Sequence, residues 1–169
     1  DSLIEAGVDD IEHGSGIDTD QASEIAARGI AVTPTLRQVE LFADFAAQAG
    51  TKYPVYAATM QRMYDTRVEH FQMLLDADIL LLQGTDAGGY QEHGSIAGEL
   101  GLWSRWGASS QAVIDASTWV SLHYLGRPGI VEGADADLLI LDDDPRADPL
   151  ALARPTSVYI GGECAWQRA

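Results

Sequence analysis

Two short stretches hold the residues able to do chemistry. IEHG (residues 11–14) carries His13, and LLLQGTDAGGYQEHG (80–94) ends a long apolar run on Asp86, with His93 farther along the same loop. A carboxylate at the end of a buried strand is costly unless something pairs with it. Imidazole nitrogen and carboxylate oxygen are both standard zinc ligands, and a catalytic zinc keeps one position open for water. His13 and Asp86 are therefore the candidate metal ligands. Asp86 is also the candidate catalytic residue, able to ligate the ion and take the proton of the attacking water. His93 is the candidate substrate contact, or equally a residue near a helix start. Each residue has a plainer reading: Asp86 before Ala-Gly-Gly could cap a turn, and His13 could be an ordinary hydrogen-bonded histidine near the core. His70 and His123 fall in helical stretches and read as structural. GTDAGG matches neither G-x-G-x-x-G nor G-x-x-x-x-G-K-[ST], so it is a weak phosphate cradle.

The elements that must position these residues follow a βαβ rhythm. GVDDIEHG (7–14) reads as a short strand ending at His13, and DTDQASEIAARG (18–29) as a helix from an Asp18 N-cap to Gly29. IAVTPTL (30–36) is a second strand, followed by a helical stretch to Gly50. After Pro54 the spacing predicts one long helix whose Met60, Met63, Tyr64, Val68, Phe71, Leu74 and Leu75 form a core stripe. DILLLQG (78–84) is the third strand, so continuously apolar that both faces should be buried, as in a parallel sheet. Helices from about Ser95 and Ser109 run on to Gly126. In such proteins working groups sit at the carboxyl ends of strands, where His13 and Asp86 fall. Beyond Gly126 come short strands between turn residues, with Gly161-Gly162 fitting a tight hairpin. The expected division is residues 1–128, α/β, and 129–169, a small β appendage.

A chain of 169 residues is long enough for a real core, since at this size roughly 70% of the unfolded surface is buried. Ten basic against 26 acidic residues give a net charge of −16, which repels phosphate backbones and anionic lipid and excludes nucleic acid as a partner. No apolar run approaches the roughly 20 residues of a membrane span, and no leader pattern opens the chain. Cys164 is the single cysteine; it allows no internal disulfide and suits a reducing cytosol, so a cytoplasmic location is expected. DSLIEAG at the start reads like the end of a helix, which fits a chain cut from something longer.

The ordered set IEHG, VTPTL, GTDAG with HG and EL following, VEGADADLLILDDDPRADP and a closing GG resembles the C-terminal portion of the amidohydrolase superfamily. The likeness is to the branch of imidazolonepropionases and prolidase-type metal-dependent dipeptidases. It covers nearly all 169 residues. The resemblance implies a (β/α)₈ barrel whose strands six, seven and eight are GVDDIEHG, IAVTPTL and DILLLQG, plus C-terminal strands of a small β-sandwich. It implies that His13 ligates or neighbours the metal, that Asp86 ligates it and shuttles the proton, and that His93 touches substrate. The family's His-x-His pair on strand one, the lysine or glutamate of strand four and the histidine of strand five have no counterpart here. A complete barrel of this kind needs roughly 250 residues.

The expected parent protein hydrolyses amide-type C–N bonds with a divalent metal, zinc, in one or two ions. Attack would come from metal-bound hydroxide, on a short peptide, a cyclic amide or a related small molecule. The chain by itself is expected to be inactive and to need the missing N-terminal portion of the fold as its partner; self-assembly into a homo-oligomer stays open. Two rivals stand beside this reading: a degenerate, metal-free interaction module, and an α/β domain binding a small molecule at the GTDAGG turn.

Overall fold

A computed structural model describes residues 1–169, which fall into two compact units, Asp1–Leu102 and Trp103–Ala169. The first unit opens with α1 (Ser2–Ala6), β1 (Asp10–Glu12), α2 (Thr19–Arg28) and β2 (Ala31–Thr33). Four helices follow: α3 (Leu36–Glu40), α4 (Phe42–Ala49), α5 (Pro54–Asp65) and α6 (Arg67–Asp76). They lead into β3 (Leu80–Leu81). The three strands are parallel and lie in the order β1-β2-β3.

Local chemistry fixes the first βαβ turn. Asp18 accepts from the Gln21 amide while the Gln21 side chain accepts from the Asp18 amide, a reciprocal capping box. At the other end Gly29 takes φ 67°, and its amide meets the carbonyls that the last helical turn leaves open. The chain is thereby turned into β2 as the spacing predicts.

The sheet is covered throughout on one face and in part on the other. Ile11, Val32 and Leu81 are buried, as are Ala22 and Ile25 of α2 and Phe71 and Leu74 of α6, and together they make the core of this unit. Pairing places Asp10 and Leu80 on either side of Ala31, and side chains alternate faces along a strand. Asp10, Glu12 and Leu80 therefore share the opposite face, where Leu80 is 37% exposed. Ala31 and Thr33 on that same face are buried, so the expected burial on both faces holds for β2 and fails at β1 and β3, where Glu12 and Leu80 are exposed. The strands are also shorter than their apolar runs, and Leu36 already belongs to α3. The long helix after Pro54 is two helices. They part at Thr66 (φ −100°, ψ 9°), whose hydroxyl donates to the Arg62 carbonyl at 3.1 Å. No residue of α5 is buried, so of the expected stripe only Phe71 and Leu74 are core.

Helix α7 (Ile96–Arg105) continues into the second unit, which holds α8 (Ser110–Ser117), α9 (Trp119–Tyr124) and the strands β4 (Leu138–Ile140), β5 (Ser157–Ile160) and β6 (Glu163–Gln167). These strands form an antiparallel sheet in chain order. Gly161 and Gly162, with φ of 59° and 83°, close the β5–β6 hairpin in the left-handed conformation that a two-residue primed turn demands. Ser109 caps α8 through the Ala112 amide. The helix expected to run to Gly126 breaks at Thr118 (φ −135°, ψ −94°). No helix of the chain is long and apolar enough to cross a membrane.

Candidate active site

Because the three strands run in parallel, the segments leaving them emerge at one edge of the sheet. His13 directly follows β1, and its amide extends the ladder by donating to the Thr33 carbonyl at 2.9 Å. Pro34 and Thr35 follow β2, and Asp86 lies on the segment leaving β3. Three residues at this edge are non-glycine residues in the left-handed region: His13 (φ 67°), Thr35 (φ 44°) and Asp86 (φ 54°). For an ordinary L-residue that conformation costs about 1–2 kcal/mol, less for aspartate, and such positions gather at functional sites. Asp78 (φ 56°), in the turn before β3, is the other such residue.

His13 Nδ1 lies 2.7 Å from the Thr35 hydroxyl. Thr35 is almost wholly buried, at 1% exposure. On the face of the sheet that carries Leu80, the buried Thr33 donates to Asp10 at 3.1 Å. Glu12, beside Asp10, has its carboxyl pushed above the usual range, first by burial and then by the Asp10 charge. The Asp86 charge acts in the same sense and the His13 ring against it, so both candidate ligands lie within electrostatic reach of Glu12.

The loop after Asp86 folds back on itself. The Gly88 amide donates to the Gln91 carbonyl at 3.0 Å, and Ala87 bridges Gln91. The His93 ring lies over Gly88, where a Cβ would sit 3.5 Å from Cε1 and 3.7 Å from Nε2. His93, seven positions beyond Asp86 in the chain, is thus held against the glycine two positions after Asp86. Arg37 donates through Nε to Gln91 Oε1 at 3.0 Å, tying this loop to the turn that follows β2. Glu99, on α7, accepts the Leu36 and Arg37 amides at 2.7 and 2.8 Å.

Sequence reading did not single out Thr35, Arg37, Gln91 or Glu99. The available signal for Glu99 was an acid set beside Leu100 and Leu102 in an otherwise apolar helix turn. His70 lies in α6 and His123 in α9. The His70 ring bonds the Ile17 carbonyl through Nε2 at 3.0 Å, and burial pulls its pKa below the ordinary value.

The donor types at this edge suit zinc, but the donor count does not. No three His, Cys, Asp or Glu side chains gather so as to hold a metal ion. A catalytic zinc takes three protein ligands, so His13 and Asp86 fall short of a complete centre in this chain alone.

No family model matches the chain. It is 39% identical over 160 residues to uncharacterized proteins of Mycobacterium tuberculosis and Mycobacterium bovis, a match that takes in 95% of this chain and 43% of theirs. The chain thus spans less than half the length of these curated relatives. Among solved structures, a Xaa-Pro dipeptidase with methionine bound in its active site superposes with a TM-score of 0.81 at 24% identity, covering 98% of this chain and 41% of that one. An amidohydrolase superposes with a TM-score of 0.78 at 27% identity, again over 98% and 41%. The mixed α/β chain, parallel in its first sheet and antiparallel in its second, has the C-terminal portion of the amidohydrolase fold shared by these prolidase and amidohydrolase structures.

Proposed function

We propose that this chain is the C-terminal part of a metal-dependent amidohydrolase. Its residues 1–128 would supply the last three strands of a (β/α)₈ barrel, and residues 129–169 strands of a small β-sandwich. The observation that supports the reading is that His13 and Asp86 both lie on segments leaving parallel strands at the same edge of the sheet, both in the left-handed backbone conformation and both acting on the Glu12 carboxyl. His13 and Asp86 would hold a divalent ion, zinc, with the remaining ligands supplied by the N-terminal portion of the fold. When bound, the ion supplies Lewis-acid activation of water and of the substrate carbonyl.

The residues of this chain then do the proton work and the placing. Asp86 takes the proton of the attacking water and returns it to the departing amine, general base and then general acid. His93, held over Gly88 beside Asp86, contacts the substrate. The Xaa-Pro dipeptidase and amidohydrolase likenesses support a short peptide or cyclic amide as substrate, hydrolysed at its C–N bond. A cytoplasmic setting suits the unpaired Cys164.

The test is co-expression of this chain with the N-terminal portion found in the longer relatives, with zinc measured in the purified complex and in each part. The expected result is stoichiometric zinc in the complex alone, together with hydrolysis of Xaa-Pro dipeptides. Asp86→Asn should lower kcat about 10²–10⁴-fold, the range for a general acid–base group. Absence of zinc from every sample, or zinc and turnover indifferent to both His13→Ala and Asp86→Asn, would overturn the reading. The former result favours a non-catalytic degenerate paralogue or a metal-free interaction module.

A further inference from the structure

We propose that Glu99 is a positioning residue for His13, acting through the first turn of α3 and the hydroxyl of Thr35. The inference rests on the reading of His13 as a residue that faces a metal. A threonine at a helix N-cap ordinarily sits in extended backbone and spends its hydroxyl on the second or third amide of the helix. Thr35 occupies the N-cap of α3 and does neither: its φ and ψ are 44° and 55°, and its side chain makes no capping bond. The amides it leaves are taken from outside. The carboxylate of Glu99, fully buried at 0% exposure, accepts Leu36 N–H at 2.7 Å and Arg37 N–H at 2.8 Å. An anion at a helix N-terminus is also favoured by the helix dipole.

With the cap supplied by Glu99, the Thr35 hydroxyl is left for His13 Nδ1, 2.7 Å away. A neutral imidazole has one donor nitrogen and one acceptor, and the partner of one fixes the role of the other. A hydroxyl can donate or accept; with Nε2 facing a metal, as the proposed function requires, Nδ1–H donates to the Thr35 oxygen and Nε2 keeps its lone pair for the ligand. The same clamped turn carries Arg37, whose Nε reaches Gln91 in the loop between Asp86 and His93. One buried carboxylate thereby sets the segment that meets both halves of the site.

The experiment is ¹⁵N NMR of the histidine rings in the 169-residue chain, without metal, about two pH units above the ordinary imidazole value of roughly 6.5. In the native chain His13 should show a protonated Nδ1 and an unprotonated Nε2. In Thr35→Val and in Glu99→Gln the two signals should move toward each other, as expected of a mixture of tautomers, and Thr35→Ser should restore them. His70, bonded to the Ile17 carbonyl, should stay put in all variants. Hydrogen exchange gives a second measure that needs no change at Glu99. The Leu36 and Arg37 amides should keep their protection in Thr35→Val, because Glu99 and not Thr35 caps the turn. Loss of that protection would overturn the proposal. So would His13 signals unmoved by Thr35→Val or Glu99→Gln, or His13 and His70 moving together. No readout involves zinc, so failure of zinc to bind and failure of this inference are distinguishable.

Discussion

Substitution of Gly98 by alanine should destabilise the first unit even though alanine is the better helix former. Gly98 lies in α7, and a Cβ there would sit 2.1 Å from Arg37 Nη1 and 3.1 Å from its Cδ and Cζ. The guanidinium has to move, and the bond from Nε to Gln91 Oε1 is lost. A hydrogen bond from a charged donor contributes about 1.5–3 kcal/mol. The gain in helix propensity is about 0.8–1 kcal/mol. The loss wins, leaving Gly98→Ala about 0.5–2 kcal/mol less stable, the difference of those two ranges. Urea denaturation reads it as a lower midpoint at unchanged slope. In an Arg37→Ala background, which removes every side-chain atom beyond Cβ, the obstacle is gone, and the same Gly98→Ala change should stabilise by about 1 kcal/mol. If Gly98→Ala matches or exceeds the native chain while Arg37 is present, the reasoning about this contact is wrong.

Two further outcomes follow from other parts of the unit. His70 binds its proton less readily folded than unfolded, because burial disfavours the charged ring. Stability should therefore be unaffected by His70 above the ordinary value of 6.5, fall as pH drops below it, and level off once pH passes under the folded value; urea midpoints across pH should show this step shrinking in His70→Asn. Gly84→Ala would bring a Cβ to 2.4 Å from Thr33 Cγ2. Thr33 is buried in the central strand and stiff at χ1, so overpacking of about 1–3 kcal/mol is expected in thermal or urea unfolding.

The parts of the fold governed by neighbours in the chain were legible in the sequence. The Asp18 N-cap, the Gly29 terminator and the Gly161-Gly162 hairpin each act within a few residues, and each stands where it was read. The breaks at Thr66 and Thr118 were not legible, because neither glycine nor proline marks them. In both, the threonine hydroxyl bonds the carbonyl four residues back, a local competition that composition does not reveal. The apolar stripe of α5 misled for another reason: periodicity tells which side of a helix is apolar, not whether anything covers it. At the candidate site, His13 directly follows β1 as read, whereas Asp86, read as ending its strand, lies five residues past the end of β3 at Leu81. The link from Glu99 to Thr35 spans more than sixty positions and joins residues of types common at helix termini, so only the folded arrangement discloses it.

The left-handed backbone at His13, Thr35 and Asp86 has a consequence for how this sequence would drift. Glycine adopts that conformation without penalty, so selection for folding alone would press all three positions toward it. The pressure is strongest at β-branched Thr35 and weakest at Asp86, since aspartate tolerates the conformation best of the three. At Thr35 this pressure is opposed by the loss of a side chain only 1% exposed, so a library of variants sorted only for thermal survival should enrich glycine at the more open position 13 before position 35, and that order would weigh conformational tension against burial.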